Sequence, residues 1–269
     1  MRPESQASAD RPPERGGFLP WTSTAWVRFA WTLISAFAVE SIVLGLAAFP
    51  AVAFWAWHFR WEVAPSGLRI VVLAMSFVPA YLLFAVALMA LSAWSTRLLG
   101  WRVRPGLELA IADLPWPMLD WVRYAISTHV VRVLAGTMLR NTPVWNWYMR
   151  ENGARLGRRV WINSLDVTDH CLLDFGDDVV IGAGVHLSGH TVERGLLCTA
   201  PVVLGRGVTI GVGANIEIGV EAGPGCQIAS LSAVPKHAKL DGHCSYAGAP
   251  ARRLDAKRGP AQEAERGEA

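Results

Sequence analysis

The stretch Leu204-Gly205-Arg206-Gly207-Val208-Thr209-Ile210-Gly211-Val212-Gly213-Ala214-Asn215-Ile216 opens a run in which an aliphatic or small residue returns every six positions. The series continues through Ala222, Ile228, Val234 and Leu240 and closes on Tyr246. Four residues after each comes a second compact side chain: Val208, Ala214, Val220, Cys226, Ser232, Ala238, Cys244 and Pro250. A helix repeats about every 3.6 residues and a strand about every 2, so neither explains a period of six. A parallel β-helix does. Each turn of such a chain makes three short strands, and its inward residues stack on those of the next coil. Glycine follows the inward residue in Ile181-Gly182, Leu204-Gly205 and Ile210-Gly211, where the corners need tight backbone geometry.

Upstream, the phase of the hexads changes twice. Leu156 and Ile162 keep one phase, Phe175, Ile181 and Leu187 a second, and Leu204 onward a third. Leu187 and Leu204 are 17 residues apart, one short of a full coil, so a loop is expected to leave the wall within residues 193–201. Loops on a rigid scaffold are favoured places for chemistry. Just before this loop stands His186-Leu187-Ser188-Gly189-His190-Thr191-Val192-Glu193. His190 and His186 take outward slots. A neutral imidazole facing a cleft is a general base near neutral pH, and Glu193 is close enough in sequence to orient the His190 ring. The bland alternative is a pair of surface histidines. Asp169-His170-Cys171 lies where it would reach the same wall one coil below, which opens a metal reading through His170, His186 and His190. The offsets do not put the three in vertical register, and no metal is expected. Nothing in the sequence marks Cys171 as a low-pKa nucleophile.

Before the coil, two apolar runs cover about residues 31–57 and 70–94. Each exceeds the roughly 20 residues that cross a bilayer as a helix. Tryptophans crowd their ends (Trp21, Trp26, Trp31, Trp55, Trp57, Trp61, Trp94, Trp101), as interfacial anchors would. The short link 58–69 makes the pair a hairpin. Arg2, Arg11, Arg15 and Arg28 precede it and Arg97, Arg102 and Arg104 follow, against Arg60 and Arg69 in the link. That bias puts both termini in the cytoplasm. Glu40 within the first span is either a functional carboxylate or one satisfied by Ser35, Ser41 or the partner helix. Leu119, Val122, Ile126, Val130, Val133 and Leu134 then repeat at helical spacing, giving an amphipathic helix that lies in the interface or packs on the hairpin.

The expected organisation is therefore a polar, disordered lead (1–20), a transmembrane hairpin (21–104), an interfacial helical connector (105–155), a β-helix (156–254) and a disordered tail (255–269). The first apolar run starts too late, and lacks the small-residue cleavage site, for a signal peptide. Half the residues are hydrophobic and 13 are Trp, unlike an average soluble chain. A net charge of +3 without a basic stripe argues against a nucleic-acid partner. Cys171, Cys198, Cys226 and Cys244 form no CxxC pair, which suits a reducing compartment, and Cys226 and Cys244 read as small core residues one coil apart.

The segment Ser232-Ala233-Val234-Pro235-Lys236-His237, followed by Tyr246-Ala247-Gly248-Ala249-Pro250-Ala251-Arg252-Arg253-Leu254, resembles the closing motif of the hexapeptide-repeat acyltransferase superfamily. With the hexads, the resemblance covers residues 156–254. It implies a left-handed parallel β-helix, a homotrimer with sites between subunits, a histidine base, and an acyl-CoA or phosphopantetheine thioester donor. His190 then carries over as the base, and Lys236, Arg252 and Arg253 would meet the phosphates of the donor. A narrower likeness takes in Asn141-Thr142-Pro143-Val144-Trp145-Asn146-Trp147-Tyr148, Gly157-Arg158-Arg159-Val160 and Leu187-Ser188-Gly189-His190-Thr191-Val192-Glu193. These segments resemble the membrane-embedded terminal region of poly-lysine-type nonribosomal peptide synthetases, which implies an amine attacking a thioester.

Three functions follow as expectations. The first is a multi-pass enzyme of the inner membrane with its β-helix in the cytoplasm, moving an acyl or aminoacyl group to an amine or hydroxyl. The second is a non-catalytic trimeric platform in membrane lipid for a synthetase, carrier protein or transporter. The third is a metal-dependent β-helix lyase.

Overall fold

The computed structural model describes residues 22–60 and 65–254. The expected disordered lead and tail lie outside the described residues, as do Trp21 and Trp61. Helices α1 (Ser23–Phe59) and α2 (Ser66–Leu98) run antiparallel. Near their turn Trp55 Nε1 donates to Ser76 Oγ at 3.1 Å, and the Trp55 and Phe77 rings stack. Many of the residues buried along the pair are small, among them Ala36, Ala47, Ala80, Ala85 and Ala93, with Val43, Leu88 and Met89 the larger apolar ones. Large apolar side chains such as Trp31, Ile34, Phe49 and Met75 point outward instead. That is the reverse of a water-soluble helix, and small inward residues let two backbones approach closely. Both helices are long and apolar enough to cross a membrane, with mean hydropathy of 2.0 and 2.4 in their most apolar windows. Glu40 faces inward and is 3 % exposed.

Helix α3 (Trp116–Val131) packs lengthwise on this hairpin rather than crossing its end. Ser92 Oγ meets Ser127 Oγ at 3.0 Å, and the Tyr81 hydroxyl donates to the Leu134 carbonyl at 2.7 Å. Advancing along the chain from 127 to 134 thus moves back along α2 from 92 to 81, so α3 is antiparallel to α2. Of the two positions open to this amphipathic segment, it takes the one packed on the hairpin. It ends in a π-helical turn, Arg132–Gly136. A Cβ on Gly136 would stand 2.8 Å from Leu165 Cδ2, so the bare backbone there lets the first coil sit against the helix end. The helix Pro143–Glu151 is capped by Thr142, whose hydroxyl accepts from the Trp145 N–H, and has Pro at its first position. It joins the two halves of the chain: Glu151 pairs with Arg97 at 2.9 Å, and Asn146 Nδ2 donates to the Val160 carbonyl at 2.7 Å.

The remaining chain coils upward as three sheets of short parallel strands. Ile210 pairs with Ile228, Ile216 with Val234 and Ala222 with Leu240, each partner 18 residues on. The hexad residues Leu204 to Tyr246 are all buried, and so are Val208, Ala214, Val220 and Cys226. Cys226 and Cys244 are free. Two coils depart from 18. In the first, Leu156 pairs with Phe175 and Ile162 with Ile181, a spacing of 19, and a single tight turn at His170–Leu172 absorbs the extra residue. In the second, Phe175 pairs with Leu204, Ile181 with Ile210 and Leu187 with Ile216, a spacing of 29. Its eleven extra residues form an antiparallel hairpin, His190–Glu193 with Leu196–Thr199, tied to the strand Glu108–Ala110. The 17-residue gap is thus one hexad plus an excursion, not a short coil. The excursion begins at His190 itself, three residues earlier than the loop expected at 193–201.

Stacked corners leave no room for side chains. A Cβ on Gly205 would lie 2.8 Å from the Pro224 nitrogen and 3.0 Å from the Gly223 carbonyl carbon. Gly205→Ala is expected to cost about 1–3 kcal/mol, because the clash is with backbone that cannot rotate away. A lowered thermal unfolding midpoint with unchanged strand content by circular dichroism is the readout.

Candidate active site

The two irregular corners stack, and the residues they release meet. Asp169 precedes the tight turn of the first coil in a left-handed backbone conformation (φ 51°) that Asp tolerates better than most residues. Its side chain is buried and points at the first residue of the hairpin above, where Asp169 Oδ2 lies 2.5 Å from His190 Nδ1. Trp121 Nε1 of α3 donates to Asp169 Oδ1 at 3.1 Å, and the Gly189 N–H and Ser188 hydroxyl donate to Oδ2 at 3.1 and 3.2 Å. The Trp121 ring lies against the imidazole, centroids 4.7 Å apart. Burial pushes the Asp169 carboxyl up, but the His190 hydrogen bond and charge with the Trp121 and Ser188 bonds outweigh it and hold the group below the usual carboxylate range.

An ionised carboxylate only accepts hydrogen bonds, so the proton between the two groups belongs to His190 Nδ1. In the neutral ring Nε2 is then the nitrogen that accepts, and it has no hydrogen-bond partner among the described residues. A carboxylate fixing the tautomer of an imidazole whose other nitrogen is open is the geometry of a general base. Gly189 keeps the pair close. A Cβ there would meet Leu172 Cδ1 at 2.7 Å and Asp169 Cβ at 3.2 Å.

The carboxylate that orients His190 is thus Asp169 and not Glu193. Residues 190–193 form an extended strand, and three residues at about 3.3 Å each carry Glu193 roughly 10 Å away. There Glu193 pairs with Lys236, which holds its carboxyl below its ordinary value. Lys236 is therefore occupied by Glu193, while Arg253 pairs with Asp241 at 3.1 Å and Arg252 is exposed beside it in the closing strand. None of these three basic residues reaches His190 within one chain. His186 is exposed on the outer wall, apart from the pair. His170 is buried behind α3, its N–H bound to the Tyr124 hydroxyl and its ring edge-on to Trp145 and Tyr148. Its side chain lies in the core, so the three histidines do not converge, and no His, Cys, Asp and Glu cluster suited to a metal occurs among the described residues. Burial pushes the Cys171 thiol up to about 11, and its S–H donates to the Val103 carbonyl, which suits packing and not nucleophilic attack. The backbone donors of the excursion are largely committed: the Thr199 N–H binds the Leu107 carbonyl and the Ala200 N–H the Gly189 carbonyl. Trp121 and Asp169 are the members of the site not singled out for this role by sequence. The segment Asp169-His170-Cys171 drew notice for its histidine, whereas it is its aspartate that contacts His190.

No protein-family model matches the chain, and no curated protein does. Among solved structures it is similar to a hexapeptide-repeat-containing acetyltransferase from Vibrio cholerae, with 23% identity over 39% of this chain and 64% of that one, at a TM-score of 0.36. The acetyl coenzyme A complex of that acetyltransferase matches at 24% identity over 39% of this chain and 61% of the other, TM-score 0.36. Soybean serine acetyltransferase matches at 16% identity over 65% of this chain and 57% of its own, TM-score 0.32. The chain spans less than two thirds of the length of each of these structures.

Burial pushes the His170 imidazole from 6.5 down to about 4. Between these values the unfolded chain binds a proton there that the folded chain does not. Stability is therefore fully present above pH 6.5 and falls as pH drops toward about 4, by roughly 3 kcal/mol. Thermal unfolding of the detergent-solubilised protein across that range is expected to show the loss, and His170→Gln is expected to flatten it.

Proposed function

We propose that this chain is a membrane-anchored acyltransferase built on a left-handed β-helix, with His190 as its general base and Asp169 as the residue that positions it. The observation that carries this reading is the 2.5 Å contact between Asp169 Oδ2 and His190 Nδ1, which leaves Nε2 open. In the reaction, Nε2 takes the proton of an acceptor hydroxyl or amine as its oxygen or nitrogen attacks a thioester carbonyl. The tetrahedral intermediate collapses with rupture of the C–S bond. The leaving thiolate takes the proton back from His190, releasing thiol and the acylated acceptor. Asp169 stabilises the transient imidazolium without itself being protonated.

The sequence resemblance to hexapeptide-repeat acyltransferases supports an acyl-CoA or phosphopantetheine donor, and extends to the trimer. In that assembly Lys236, Arg252 and Arg253 of one chain would serve the donor at a site shared with the next. The outward apolar side chains of α1 and α2 support anchoring in a membrane.

Thiol release from acyl-CoA and phosphopantetheinyl carrier donors, with and without a panel of amines and alcohols, tests the reading. Acceptor-dependent release is expected, falling about 100-fold or more in His190→Ala. Asp169→Asn is expected to lower kcat by about 100-fold or more with little change in KM, since it disturbs the base and not substrate binding. Release that is unaltered in His190→Ala, or absent with every donor, overturns it.

A further inference from the structure

His190 and Asp169 stand at one end of a groove of about 620 Å³, within the size range of a ligand site. One wall is the outward face of α3, with Val122, Ala125, Ile126 and Val130; the other is the first coil, with Leu165 and Val167. These walls are almost wholly apolar. The one arginine at the rim, Arg132, is already engaged, with Asp166 at 3.5 Å and His129 at 2.8 Å. The other polar groups of the lining are few and engaged: the Thr128 hydroxyl donates to the Tyr124 carbonyl, His129 meets Arg132, Thr168 meets Asp169, and the His170 ring packs edge-on to Trp145 and Tyr148, so an anionic ligand would find no unpaired fixed charge along this path.

Phe37 of α1 also lines the groove, on the helix face where Ile34 and Phe37 are 63 and 62 % exposed. Beyond the groove, Val133, Leu134 and Met138 continue the apolar surface beside α2, and they too are exposed. An unbroken hydrocarbon-compatible path therefore connects the outer surface of a helix able to cross a membrane with the open nitrogen of His190. Water-soluble small acceptors do not need such a path. A molecule with an apolar tail and a reactive head does, because burying each methylene contributes about 0.8 kcal/mol.

We propose that this groove holds the linear hydrocarbon tail of a membrane-partitioned amphiphile and presents its reactive head to His190. The proposal rests on the acyl-transfer reading and names one substrate class for it. The tail belongs either to a long-chain acyl thioester or to a long-chain amine or alcohol. In both cases it enters from the bilayer side past Phe37 and lies between α3 and the first coil.

The test uses the full chain in detergent or nanodiscs and a hexadecylamine carrying a diazirine in its tail, with labelled peptides mapped after irradiation. Labelling is expected on residues 122–132 and 165–168, with displacement by unlabelled hexadecylamine but not by butylamine. Palmitoyl-CoA and hexadecanol serve as competing arms: displacement by palmitoyl-CoA alone assigns the tail to the donor, and by the amine and alcohol to the acceptor. Ala125→Trp, which fills the groove, is expected to reduce its labelling about tenfold or more while label on the exposed face of α1 persists. Val130→Glu gives a second, independent block should Ala125→Trp not fold. Label confined to the outer hairpin, or groove label unaffected by both variants, overturns the proposal. Disulfide capture of a second copy through cysteines placed at 126 and 130, in a chain that takes no label there, overturns it as well by showing that another chain covers the groove. Displaceable groove labelling in a chain that releases no thiol from any donor sinks the acyl-transfer reading and leaves the tail site standing, so the two fail separately.

Discussion

Stacking is the constraint on which the structure depends. Inward residues of successive coils sit directly above one another, Ile181 under Ile210 under Ile228 under Tyr246, and each strand bonds to the strand a coil away. A column of that kind tolerates no change of register, because a slip of one residue turns every inward side chain outward. Extra residues must therefore leave the wall at a corner. The chain has two such corners, the tight turn at His170–Leu172 and the hairpin from His190 to Thr199, and they stack on each other. The site follows from that coincidence: the lower departure frees Asp169 and the upper one starts with His190.

What surrounds the pair fixes its chemistry. Asp169 is buried, a position in which a lone carboxylate is costly, yet its two oxygens collect donors from His190, Trp121, Ser188 and Gly189. Those bonds come from two separate parts of the chain, the segment Ser188–His190 and a helix that belongs to the hairpin half. Through Trp121, α3 both completes the carboxylate's partners and packs against the imidazole, so the helical half is part of the site and not only a support for it. The seam of small residues in α1 and α2 has a related consequence. By placing alanines inside and large apolar residues outside, it keeps the apolar surface of the hairpin on the outside and continuous with the groove that ends at His190.

Much of this was legible in residue order. A period of six has one structural explanation, and buried hexads follow from it position by position. Two long apolar runs edged by tryptophan define a helical hairpin by length and composition alone. A break of phase after Leu187 marked where the coil is interrupted, and His190 stood out beside it. These are local or strictly periodic signals, carried by neighbours in the chain or by residues at a constant offset.

The carboxylate partner was not of that kind. Glu193 was three residues from His190 in sequence but an extended strand holds it away, whereas Asp169 is 21 residues distant and comes into contact because two coils stack with unequal lengths. The hexad count placed the loop late for the same reason, since spacing alone does not distinguish a shortened coil from a hexad with an inserted hairpin. The direction of α3, and with it the place of Trp121 and the groove, depends on contacts between Ser92 and Ser127 and between Tyr81 and Leu134, distant in sequence and of no fixed period. Periodicity determined the scaffold; only the packing of its irregular parts decided which side chains meet.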